Sequence, residues 1–194
     1  MAGVGPGTAG DCGPPTDLSA PGERCRHPGR ADLGWPGREG APVTVPTLYE
    51  WAGGAPALER LTTRFYRKVK ADPLLEPLFA AMPDDHPHHV AMWLGEVFRG
   101  PPAYSEEFGG YTRMMRHHLG RDIRPEQRTR WVALLAETAD EVGLPDDPEF
   151  RSAFVAYLEW GSRIALSNSK PGATPPPAAP MPGWGWGEAP PYQL

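Results

Sequence analysis

Between Gly110 and Ile123 the chain reads Gly-Tyr-Thr-Arg-Met-Met-Arg-His-His-Leu-Gly-Arg-Asp-Ile. Wound as a helix, this stretch brings Tyr111, Met114, Met115 and His118 to positions i, i+3, i+4 and i+7, one continuous face. Three members of that face are large and mostly apolar, and the fourth is an imidazole. His117 is turned about 100° away and has Arg113 four residues before it, so the two adjacent histidines are not equivalent. His118 is the inward one. Any fold built on this face must give that imidazole a partner, either a hydrogen bond within the core or a metal ion that it ligates axially.

The same period recurs along the middle of the chain. Thr47–Trp51 reads as a short helix stopped by Gly53-Gly54. Pro56 then sits in the first turn of a longer helix with Leu58, Leu61, Phe65 and Val69 as its stripe, Tyr66 at the border, and Asp72-Pro73 as its end. A compact turn through Phe79 leads to the polar loop Met82–Asp85. A helix from Pro87 turns Val90, Leu94, Val97 and Phe98 inward with Trp93 beside them, and Gly100-Pro101-Pro102 closes it. Tyr104–Gly109 is expected as a loop before the central helix. Pro125 opens a helix with Trp131, Leu134, Leu135, Thr138 and Val142 on one side, ended by Gly143. Asp147-Pro148-Glu149 supplies the N-cap, first residue and acidic first turn of the last helix, lined by Phe150, Phe154, Tyr157, Leu158 and Ala165. No segment alternates with period two, so the expected fold is all-α.

The two ends differ from this middle. Of 194 residues, 26 are Pro and 23 are Gly, concentrated before Val43 and after Lys170. Segments so poor in aliphatic side chains cannot offset the entropy of ordering. The expectation is therefore a disordered leader over 1–44, one domain over 45–169, and a disordered Pro-rich tail over 170–194 that carries Trp184-Gly185-Trp186. Cys12 and Cys25 both fall in the leader without the spacing of a zinc site, and the domain has no cysteine to staple. A formal net charge of -5 argues against a nucleic-acid or anionic-membrane surface. No apolar run approaches a membrane span and no signal peptide is visible, which leaves the cytoplasm as the expected compartment.

Histidines cluster at His86, His88 and His89 and again at His117-His118, at spacings of two, three and one. Zinc enzymes usually place two histidines four apart on one face, so these spacings suit zinc poorly. A large flat cofactor such as haem needs one axial ligand on an apolar wall with aromatic rings around it. The chain offers His118 together with Tyr66, Phe79, Trp93 and Trp131 from four other elements, although periodicity alone fits a packed core as well. A helical interaction module that recruits partners through the Trp-Gly-Trp tail is a further reading from another class.

At this point a family resemblance enters. The landmarks are Gly53-Gly54, Arg64-Phe65-Tyr66, Asp72-Pro73-Leu74-Leu75 leading to Phe79, Trp93-Leu94-Gly95-Glu96-Val97-Phe98 with Gly100-Pro101, Tyr104-Ser105-Glu106, Met115-Arg116-His117-His118, Ile123 and Trp131. In this order and spacing the segment Thr47–Ser169 resembles a truncated haemoglobin, most closely of the group II subfamily. The resemblance implies a two-over-two helical sandwich enclosing haem b, with His118 as the iron ligand. Gly110 eight before and Ile123 five after support His118 over His117 in that role. It further implies Tyr66 and Trp131 as distal hydrogen-bond donors, Phe79 packed on the haem, His86 at the distal gate and Val90 one turn further on. Trp93, Tyr111, Met114 and Ile123 are implied in the cofactor wall, and His89, Arg116 and His117 as candidates for the haem propionates. The implied ligand is dioxygen. Nitric-oxide dioxygenation or peroxide reduction is the implied redox chemistry, and either requires an external reductase because the chain has no flavin or nicotinamide fingerprint. Two departures stand out: Glu107–Gly109 is one residue longer than in some relatives, and Leu119-Gly120 replaces a frequent Pro-Phe pair.

Overall fold

A computed structural model describes residues 44–175 and 178–187. The leader expected over 1–44, with Cys12 and Cys25, lies outside the described residues up to residue 43. Among the described residues there are eight α-helices and no strand. They are α1 (Leu48–Trp51), α2 (Gly54–Ala71), α3 (Glu76–Phe79), α4 (His86–Val97), α5 (Ala103–Phe108), α6 (Gly110–Arg116), α7 (Pro125–Glu141) and α8 (Pro148–Asn168). None of them is long and apolar enough to cross a membrane.

Local chemistry starts and stops these helices. Thr47 and Glu50 form a reciprocal capping box at α1, each side chain bonding the other's backbone N–H. Asp147 caps α8 by accepting from the Phe150 N–H at 2.8 Å. At the end of α2, Asp72 accepts from the N–H groups of Leu74 and Leu75 and from Arg130 Nε on α7 at 2.7 Å. The Arg130 guanidinium holds the Asp72 carboxyl below the usual carboxylate range. Buried Gln127 bonds the Leu74 carbonyl at 3.1 Å, so the α2–α3 turn is tied to α7 twice.

The apolar stripes then decide the packing. α2 lies against α4 and α7, α7 against α8, and α4 against α5. Leu58, Leu61, Phe65 and Val69 of α2 are fully buried with Phe98, Phe150 and Phe154, and make the centre of one core. The result is the helical sandwich that the sequence predicts.

Four details differ from the sequence reading. Tyr104–Gly109 is largely helix: Tyr104 is buried, and the Ser105 hydroxyl and backbone N–H both bond the Glu96 carboxylate. That contact is tertiary, which is why local composition pointed to a loop. The helix that follows ends at Arg116, and His118 occupies the turn after it. On α4, Val90 is half-buried whereas Trp93 is deeply buried. Finally, residues 178–187 of the expected disordered tail lie on the helical body, with Met181, Trp184 and Trp186 packed against the core. Their indole N–H groups find backbone carbonyls, which makes burial of two tryptophans affordable.

Candidate functional site

Tyr66 reaches the interior from the border of the α2 stripe, where helical period places it beside Phe65.

 The residue owes its place to that border position alone. Its ring is 4 % exposed and contacts Phe65 at 4.9 Å and Phe79 of α3 at 5.6 Å between centroids. Its hydroxyl lies 3.1 Å from His86 Nε2, the first residue of α4, with the two rings edge to face at 4.8 Å. Burial pushes the Tyr66 phenol far above the usual tyrosine range, partly offset by the Trp131 indole beside it. Trp131 comes from α7 and packs edge to face on Phe65 at 5.3 Å. Tyr66, Phe79, His86 and Trp131, four residues from four helices, therefore form one contiguous cluster.

His86 is held neutral there. Burial brings its pKa down to about 4, and the basic groups of His89, His117, Arg121 and His118 nearby further disfavour a charge there. A neutral imidazole can accept from the Tyr66 hydroxyl through Nε2, so the pair is satisfied without a charge. These neighbours show that the α4 start and the turn after α6 face each other. Arg121 connects that turn to α3 as well, bonding the His117 carbonyl at 2.8 Å and the Leu78 carbonyl at 3.4 Å.

His118 sits in this turn, half-buried. Its Nδ1 lies 3.0 Å from the Met114 carbonyl, which requires a proton on Nδ1 and leaves the lone pair on Nε2. Burial lowers its pKa, so the neutral, ligand-competent form is favoured. His117 is exposed, and its pKa is lowered by partial burial and by Arg113 and Arg121. The outward and inward assignments made from helical period thus hold in the structure, although the last helical turn is loosened.

The remaining expected residues divide into two groups. Phe79, Val90, Tyr111, Met114, Ile123 and Trp131 are half-buried apolar side chains from α3, α4, α6, the α6–α7 turn and α7. All but Ile123 pack on the core with part of their surface open, as the wall of an apolar crevice would. Trp93, expected in that wall, is instead a core residue at 6 % exposure; its indole N–H bonds the Tyr157 hydroxyl at 2.6 Å and its ring stacks on Tyr111. His89 stacks against Phe108 at 4.3 Å and lies 3.5 Å from Asp85. His88 turns to Glu59, away from His86 on Tyr66, so the α4 histidines diverge. Arg121 was not singled out from the sequence; a basic residue three after His118 was the available signal.

The donor set fits haem. One neutral imidazole with its second nitrogen fixed, an apolar wall, and a Tyr–Trp–His cluster drawn from three helices match the needs of a single-ligand macrocycle.

Comparison with known proteins agrees. Residues 47–160 match the family described as bacterial-like globin. A group 2 truncated hemoglobin of Bacillus subtilis is 30% identical over 117 residues, 60% of this chain and 86% of that protein. Among solved structures, the hemoglobin of the thermophilic phototroph Chloroflexus aurantiacus is 32% identical with a TM-score of 0.56, covering 62% of this chain and 98% of its own. A thermostable hemoglobin of Thermobifida fusca is 29% identical with a TM-score of 0.56, covering 62% of this chain and 97% of its own.

Proposed function

The chain belongs to the bacterial-like globin family, and from that premise we propose that it is an oxygen-retaining haem globin, with His118 as the iron ligand and Tyr66, Trp131 and His86 governing the ligand side. The observation that carries the assignment is the His118 Nδ1 contact with the Met114 carbonyl at 3.0 Å, which orients Nε2 as the donor atom. Haem, when bound, would supply a ferrous iron able to bind dioxygen or another diatomic ligand.

The residues of the chain do the rest. His118 stays neutral, and the Met114 carbonyl fixes its tautomer and ring plane. Phe79, Val90, Tyr111, Met114, Ile123 and Trp131 bury the flat face of the cofactor and keep water away. Tyr66 remains protonated at any physiological pH, so its hydroxyl is a permanent donor. Its O–H donates a hydrogen bond to His86 Nε2 and would be free to turn toward the partly negative oxygen of a ligand held on the same side. Trp131, packed on Phe65 and beside the Tyr66 hydroxyl, supplies a second N–H. His86 gates the entrance at the start of α4. His89, Arg116 and His117 are available to the haem propionates from the two flanks.

Strong retention suits redox chemistry, either nitric-oxide dioxygenation or peroxide reduction, better than oxygen delivery, and both would require an external reductase. The test is an absorption spectrum of the purified, hemin-loaded protein, oxidised, dithionite-reduced and then re-exposed to air. A Soret band that moves at both steps is expected. A protein that takes up no hemin overturns the reading and leaves a haem-free helical module in its place.

A further inference from the structure

The Trp-Gly-Trp segment lies beyond residue 160, where the globin match ends. It runs along the outside of the domain as a strap. The Trp184 backbone N–H bonds the Val97 carbonyl at the end of α4 at 2.7 Å, one of the acceptors that a helix leaves unpaired at its C-terminus. The Trp184 indole N–H bonds the Ala153 carbonyl of α8 at 2.9 Å, and its ring covers Tyr157 at 5.8 Å and Trp160 at 5.7 Å. Two residues on, Trp186 bonds the Pro46 carbonyl at 2.7 Å and meets Trp51 edge to face at 5.7 Å.

Tyr157 is the link to the site. It is buried, burial pushes its phenol well above the usual tyrosine range, and its oxygen accepts the Trp93 indole N–H at 2.6 Å. Trp93 in turn stacks on Tyr111 at 5.8 Å with 26° between the rings. Tyr111 begins the helical face that ends in His118. α6 has seven residues, packs chiefly on the equally short α5, and is entered through Gly109 and Gly110, both at positive φ, and left through Gly120, also at positive φ. Tyr111, against Trp93, and Met114 pack on the rest of the core, and Met115 is buried.

We propose that the C-terminal strap is a positioning element for the proximal histidine: Trp184 holds Tyr157 and Trp93, and through Tyr111 they set the α6 segment that carries His118. The proposal rests on the haem reading above. Trp186, anchored on α1, fastens the strap without touching this line of rings, and so separates positioning from stability.

The experiment compares the full chain, a chain ending at Pro180, and Trp184→Ala, Trp184→Phe and Trp186→Ala. Amide hydrogen exchange is read on the haem-free proteins and the iron–histidine stretching band on the reduced, haem-loaded ones. Shortening to Pro180 and Trp184→Ala are expected to speed exchange in α6 roughly tenfold, the worth of one or two aromatic contacts, and to displace or broaden the band. Trp184→Phe restores most of both, and Trp186→Ala lowers the melting temperature without moving the band. A band and an α6 exchange rate unchanged in Trp184→Ala overturn the proposal, as does an equal band shift in Trp186→Ala. A full chain that takes up no haem refutes the globin reading and the proposal together, whereas haem uptake with an unmoved band refutes the proposal alone.

Discussion

Replacing Tyr66 with phenylalanine removes one oxygen atom and leaves the ring contacts with Phe65 and Phe79 in place. No cavity larger than a hydroxyl opens, so the packing loss is small. What goes is the 3.1 Å bond to His86, about 1 kcal/mol for a neutral pair. The haem-free Tyr66→Phe protein should therefore melt about 4 °C lower. The ligand side is governed by a difference. A hydrogen bond to a partly charged ligand oxygen is worth about 1.5–3 kcal/mol, but Tyr66 gives up its bond to His86 to make it. The net of about 0.5–2 kcal/mol corresponds to oxygen dissociating roughly 3- to 30-fold faster from the variant. Stopped-flow displacement of oxygen by carbon monoxide measures that rate, and circular dichroism the melting temperature. An off-rate within twofold of the parent, with the expected loss of stability, would refute the assignment of Tyr66 as a ligand donor while leaving its structural contact intact.

Three further outcomes follow from the same geometry. His118→Ala should lose the absorption spectrum of the parent's reduced, haem-loaded form, whereas His117→Ala, at an exposed position, should keep it; the reverse result would exchange the two assignments. Because the folded-state pKa of His86 lies near 4, below its ordinary value, the unfolded chain binds the proton more readily. Stability of the haem-free protein should thus be full above about pH 6.5 and decline toward pH 4, by up to about 3 kcal/mol, and urea titrations of His86→Gln should show a flatter profile across that window. Gly100→Ala would place a Cβ 2.7 Å from the Tyr49 ring and 2.8 Å from the Gly95 carbonyl. A loss of about 2 kcal/mol is expected from overpacking, and a urea midpoint equal to the parent's would show that Tyr49 yields freely.

Much of this protein was legible before any tertiary contact was known. The stripes Leu58–Leu61–Phe65–Val69 and Phe150–Phe154–Tyr157–Leu158 placed α2 and α8, because burying an apolar face requires the 3.6-residue period whatever it packs against. Thr47, Asp147 and the glycines and prolines marked most helix ends for equally local reasons, since caps satisfy backbone groups within three residues. The same period singled out His118 from His117 and put Tyr66 next to the core.

What the period could not supply was anything set by residues far apart in sequence. Helix α5 exists because Glu96 receives Ser105, and Trp93 is core because Tyr157, 64 positions away, accepts its N–H. Val90 and Trp93 sit on neighbouring faces of one helix, and only the arrival of α6 and α8 decides which of them is covered. The tail shows the limit most clearly. Its composition, rich in Pro, Ala and Gly, has no apolar period of its own and reads as disordered. Yet Trp184 and Trp186 find rings and carbonyls prepared by α1, α4 and α8, a surface that does not exist until those helices have packed. Local sequence thus determined where helices form and which faces they bury, because those choices are made within a few residues. Which buried groups meet, and that the strap has somewhere to bind, was decided only when the helices came together.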